Sequence, residues 1–217
     1  KKQLGLIVLI MFASMPVVFA LSEINEALPI PKNWTVLFKR MEDEYTDQVK
    51  VISRISGMGD YLFSLVIMAL APAFFEETFF RGGIQNLIQR TSRSPWIAVL
   101  ITSIIFSASH FSYYGFLPRL ALGVMLGLLY QYSGSLWLSI WAHFFNNAFI
   151  VTQLYRNTIK GIPFEETMND KMPIWWSLIG IVALYFLFKK FREFALEDRN
   201  KLVPKEQIAL EDQWLSQ

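Results

Sequence analysis

Charge-free apolar runs recur along this chain at lengths of about 15 to 22 residues, close to the ~20 that a helix needs to cross a bilayer. The run YLFSLVIMALAPAFF, from Tyr61 to Phe75, carries no charge at all. Six such segments are legible, at about 4–21, 60–80, 96–116, 118–133, 135–154 and 173–188. They predict an all-α fold, a polytopic transmembrane helical bundle with about six membrane helices. Lys1 and Lys2 followed by LGLIVLIMFASMPVVFALS have the shape of a signal peptide. With further apolar spans downstream, that segment reads as a membrane helix.

The polar remainder divides the chain into three parts. Residues 1–59 hold the first membrane helix and a polar loop; Pro29 and Pro31 punctuate the loop, and mixed charges over roughly 34–56 predict a surface helix. Residues 60–155 form the core bundle. Residues 156–217 hold a polar link, the last membrane helix and a charged tail, helical in part, with Pro204 breaking it. Basic residues near the span ends set orientation. Lys1, Lys2, Arg81, Arg90, Arg93, Lys189, Lys190 and Arg192 fall on one side, which makes that side and both termini cytosolic.

Composition narrows the chemistry. At 53% hydrophobic residues the chain is too apolar for an ordinary soluble domain. A net charge of +2 without a basic cluster argues against nucleic acid. The absence of cysteine excludes disulfides, a thiol nucleophile and zinc–thiolate sites.

Against this background three polar groups are out of place, because ionisable side chains are costly in lipid. FEETFFRGG, residues 75 to 83, brings Glu76, Glu77 and Arg81 to the end of a charge-free run. Glu77 and Arg81, four apart, share a helix face and can pair, whereas Glu76 lies about 100° round and is left as a spare carboxylate. FSASH places His110 in the third span, and HFFNN places His143 and Asn147 on one face of the fifth. Taken singly, each has an ordinary explanation: flanking charges at a helix end, or a His or Asn hydrogen-bonding between helices. Asn146 has only that explanation. Together they supply a base, a proton-sharing imidazole and further donors, which is a hydrolytic set. Two adjacent carboxylates with different partners can take different roles.

EETFFR fits the pattern EExxxR, FSASH fits FxxxH and HFFNN fits HxxxN, in order on successive spans. On these motifs, and on GSLW at 134–137, the chain resembles the CPBP (CAAX protease and bacteriocin-processing, or Abi) family of intramembrane proteases, which includes the type II CAAX prenyl endopeptidases. The resemblance covers roughly residues 60 to 155. It implies a glutamate-dependent endopeptidase of a bacterial inner membrane, needing no cofactor, that acts on a peptide or protein substrate, lipidated or membrane-associated, among membrane lipids. Glu76 would activate the attacking water and His110 would help to bind it. His143 and Asn147 would stabilise the oxyanion, and Glu77 with Arg81 would brace the site. Phe106 would pack, and Gly82 and Gly83 would give room for close packing.

Depth arithmetic at about 1.5 Å per residue levels Glu76, His110 and His143 only if the helix carrying Glu76 continues as a projection over 82–95. Other chemistries are weaker. The chain has no HExxH motif and no aspartate pair in its apolar spans. Three alternatives remain open: zinc held by the two histidines and a glutamate, a b-type haem between the histidines, and a non-catalytic bacteriocin-immunity or scaffold protein of the same fold.

Overall fold

The computed structural model describes residues 2–52, 55–163 and 172–202. Among them every regular element is helical. The chain runs α1 (Lys2–Ala27), α2 (Lys32–Ile52), α3 (Met58–Ser92), α4 (Pro95–Ala108), α5 (Phe116–Ser133), α6 (Leu136–Ile159) and α7 (Trp176–Leu202). A helix therefore stands at each of the six expected spans, and α2 is the expected surface helix. Two of the helices, α1 and α3, are long and apolar enough to cross a membrane by length and composition. The middle of the 156–173 link and the tail beyond Leu202 lie outside the described residues.

Burial is arranged for an apolar surround. On α4, Thr102, Ser103 and Ser107 are buried while Leu100, Ile101, Ile104 and Ile105 are exposed. On α7, Ile181, Val182, Tyr185 and Phe186 face outward. In water this would be inside out. In lipid the outward apolar faces are solvated by acyl chains, and helices associate through small and polar residues instead. The central apolar cluster joins Ile7, Ile10 and Met11 of α1, Leu126 and Leu129 of α5, and Phe191 of α7.

Helix α3 is continuous through GGIQNLIQR to Ser92, as the depth argument requires. It is not uniformly α-helical. Pro72 has no N–H to donate, and its ring crowds the carbonyl one turn back. The turn before it, Leu65–Leu70, is wound as a π-helix, a common way of absorbing such a defect. A second π-helical stretch, Thr78–Gln85, follows directly after Glu77. Gly82 and Gly83 lie in it, and here the expectation of close packing fails. A Cβ at Gly83 would meet nothing within 4 Å, and one at Gly82 only Leu136 Cδ2 at 3.7 Å.

The close approach is elsewhere, at GVMLG in α5. A Cβ on Gly123 would sit 3.0 Å from Ser103 Cβ and 3.1 Å from its Cα, and one on Gly127 would sit 3.1 Å from Val99 and Gln85. Glycines four apart let α5 lie on α4, as small residues do in membrane helix pairs. They also bare their carbonyls: Arg81 Nη2 donates to Gly123 O at 2.9 Å, and Gln85 Nε2 to Gly127 O at 3.2 Å. Gly134 (φ 64°) ends α5 in the left-handed conformation, its N–H capping Tyr130 O. Two residues later α6 begins.

The third span is shorter than expected. Helix α4 stops at Ala108 rather than running to 116, so at 14 residues it is about 21 Å long, below the ~30 Å hydrocarbon thickness. His110 accordingly lies in the turn after the helix and not inside an apolar span. Serine side chains and a buried asparagine supply the partners that let the backbone turn here. Ser107 Oγ donates to Phe116 O at 2.6 Å. Asn25, at the end of α1, donates to Tyr113 O and accepts from Leu117 N, both at 2.8 Å. Asn25 thereby caps the N-terminus of α5 from another helix.

Candidate active site

Glu77 is the most enclosed carboxylate described, with no exposed surface. Its Oε1 accepts from Arg81 Nη1 at 2.8 Å and from His143 Nδ1 at 2.9 Å, while Oε2 accepts from Ser139 Oγ at 2.5 Å. The expected pair of Glu77 with Arg81 is therefore formed, within one helix, and it extends to α6. Arg81 is fully buried too; its Cζ lies 4.9 Å from the centre of the Phe106 ring. Burial of an ion pair is costly unless its remaining lone pairs and protons are satisfied. Here Ser139, His143 and the Gly123 carbonyl do that, leaving Arg81 Nε without a partner.

The pair fixes the tautomer of His143. An ionised carboxylate only accepts, so Nδ1 carries the proton donated to Glu77 and Nε2 presents its lone pair on the opposite side. Nε2 faces Glu76 Oε2 at 3.9 Å. That oxygen is buried and has no hydrogen-bond partner, although the Glu76 side chain as a whole is 31% exposed. The two glutamates are thus separated as their spacing predicts: one locked in a network, one spare at its edge.

His110 follows the same logic. Its Nδ1 lies 2.8 Å from Phe106 O, a carbonyl that can only accept, so Nε2 is again the free nitrogen. The Phe106 ring packs against both imidazoles, edge-on to His110 (centroids 5.0 Å) and to His143 (5.9 Å). Its packing role is as expected. Asn147 shares the α6 face of His143 by its spacing of four. Its Oδ1 accepts from Asn146 Nδ2 at 3.1 Å.

Two residues of this arrangement escape a reading of the sequence. Ser139 is one turn before His143 in SLWLSIWAH, and that spacing was the available signal. The Gly123 carbonyl gave none, since a backbone acceptor becomes a partner only once α5 lies against α3. Among the described residues no group of three or more His, Asp or Glu side chains is arranged to hold a metal ion.

Fold and site together define a helical bundle of membrane type, with a buried Glu–Arg–His–Ser network beside a glutamate oxygen that lacks a partner. Residues 58–149 match the family model for type II CAAX prenyl endopeptidase Rce1-like proteins. This segment contains Glu76, Glu77, Arg81, His110, Ser139, His143 and Asn147. The chain is also 33% identical over 111 residues to "Uncharacterized protein YpbD" of Bacillus subtilis (strain 168), across 49% of this chain and 50% of the relative. It thus spans about half the length of that curated relative. No solved structure matches it.

Proposed function

We propose that this chain is an intramembrane endopeptidase in which Glu76 activates water for attack on a peptide bond. The observation that carries the reading is the facing pair, Glu76 Oε2 and His143 Nε2, 3.9 Å apart, with His143 clamped from behind by Glu77. With His143 protonated on Nε2 as well as Nδ1, a water in that gap accepts from Nε2–H and donates one hydrogen to Glu76. Glu76 takes its proton as the oxygen adds to the scissile carbonyl, giving a tetrahedral oxyanion, and returns that proton to the departing amine. His110 Nε2 accepts the water's second hydrogen and so orients it. His143, when protonated at Nε2, donates to the oxyanion, and Glu77 balances the imidazolium charge as a buried carboxylate does for a catalytic histidine. The Asn147 amide is the second donor. Arg81 holds Glu77 ionised and in place.

The family description supports a membrane-associated peptide as substrate, with lipidated tails the first class to try. We place the protein in a bacterial inner membrane with both termini in the cytosol, on the charge pattern of the span ends. The test is cleavage of quenched-fluorescent peptides, with and without a prenyl group, by the purified chain in nanodiscs. Cleavage by wild type and none by Glu76→Gln supports the proposal. Equal cleavage by the two ends it.

A further inference from the structure

Helix α2 lies outside the segment that matches the family model, yet it holds the turn that carries His110. Ser112 Oγ donates to Glu42 Oε2 at 2.6 Å and accepts from Gly115 N at 3.2 Å, and Ser112 is buried. Trp34, Phe38 and Tyr113 form a continuous stack, with centroid spacings of 5.8 and 4.7 Å. The Arg119 guanidinium lies 4.8 Å from the centre of the Tyr45 ring and reaches back to Ser112 O at 3.5 Å. Between His110 and Ser112 stands Phe111, at φ 51°. A phenylalanine seldom adopts this left-handed conformation, and it persists only where the surroundings over-determine it.

We infer that Glu42 is a positioning residue for His110: its hydrogen bond to Ser112 pins the far side of the strained Phe111, and the pinned turn aims the imidazole. The catalytic consequence rests on the role proposed for His110 above; the positioning itself does not. Without Glu42 the backbone at Phe111 is free to relax to negative φ. The ring of His110 then leaves its orientation, while His143, fixed on α6 by Glu77, stays put.

The chain has two histidines, so histidine-selective NMR of the full chain in nanodiscs reads each separately, with His143→Gln assigning the pair. Glu42→Leu is expected to shift and broaden the His110 ring signals and to leave those of His143 unchanged. Ser112→Ala is expected to do the same, and it serves in place of Glu42→Leu if that variant fails to fold. Glu42→Gln, whose amide oxygen can still accept from Ser112, restores the wild-type spectrum. In the peptidase assay the Leu variant loses about tenfold in kcat with KM within about twofold, as misplacement of a catalytic group requires. The Glu42→Leu/Ser112→Ala double variant is no worse than either single one, because both break one bond. An unmoved His110 signal in folded Glu42→Leu, or equal movement of both histidines, overturns the inference. A moved His110 signal in a protein whose wild type cleaves nothing leaves the inference standing and removes the proposed function instead.

Discussion

His143 Nδ1 and Glu77 Oε1 are joined at 2.9 Å across α6 and α3, and the same oxygen accepts from Arg81 at 2.8 Å. One carboxylate therefore does two things: it neutralises a buried guanidinium and it sets which nitrogen of His143 is free. That coupling changes what substitution at Glu77 should do.

Glu77→Gln leaves the Arg81 charge buried without a counter-ion and removes an ionic acceptor from His143. Breaking one side of a buried pair costs about 3–5 kcal/mol. We expect a large fall in thermal midpoint together with a loss of peptidase activity, measured by thermal unfolding in detergent alongside the cleavage assay. Normal stability in the variant would contradict the buried-pair geometry.

Glu76→Gln should behave in the opposite way. Glu76 Oε2 makes no direct hydrogen bond and the side chain is part exposed, so an isosteric amide leaves the fold alone. Loss of a general base costs about 10²–10⁴ in rate. Unfolding within a degree or two of wild type, with cleavage down by at least a hundredfold, is the expected pairing.

The glycines separate by position. Gly123→Ala puts a methyl 3.1 Å from Ser103 Cα, which is backbone and cannot give way easily, so α4 and α5 must part. Overpacking of this kind costs about 1–3 kcal/mol. Gly83→Ala meets nothing and should be neutral or slightly stabilising, since Ala is the better helix former by about 1 kcal/mol. Paired thermal melts decide between them; equal effects would contradict the close contact of α5 with α4.

Asn25→Ala removes both bonds of a buried side chain, one to the Tyr113 carbonyl and one from the Leu117 amide at the start of α5. Loss of a cap costs about 0.5–2 kcal/mol. Asn25→Asp keeps the acceptor for Leu117 and loses the donor to Tyr113, so its melt should fall between Ala and wild type.

Much of the fold and part of the site were legible without coordinates. Apolar blocks of bilayer length placed a helix in each of six regions, because lipid demands long runs without charge. The four-residue spacing of Glu77 and Arg81 predicted their pair, because a single helix turn brings them together whatever surrounds it. Local geometry of this kind survives any packing. The third helix is shorter than its apolar run, because composition cannot tell an apolar helix from an uncharged turn. FSYYGF carries no charge, so nothing in it marks the end of the apolar run. What stops α4 at Ala108 is the set of partners waiting for the turn, Asn25 from α1 and Glu42 from α2.

The sequence by itself determined the helices, the ion pair inside α3 and the identity of the unusual polar residues. Only the tertiary structure decided which of them meet. Glu77 reaches His143 and Ser139 because glycines at 123 and 127 let α5 settle against α4 and α3, baring carbonyls that hold Arg81 and Gln85. That arrangement depends on surfaces twenty to more than sixty residues apart in the chain, and no spacing within one segment encodes it.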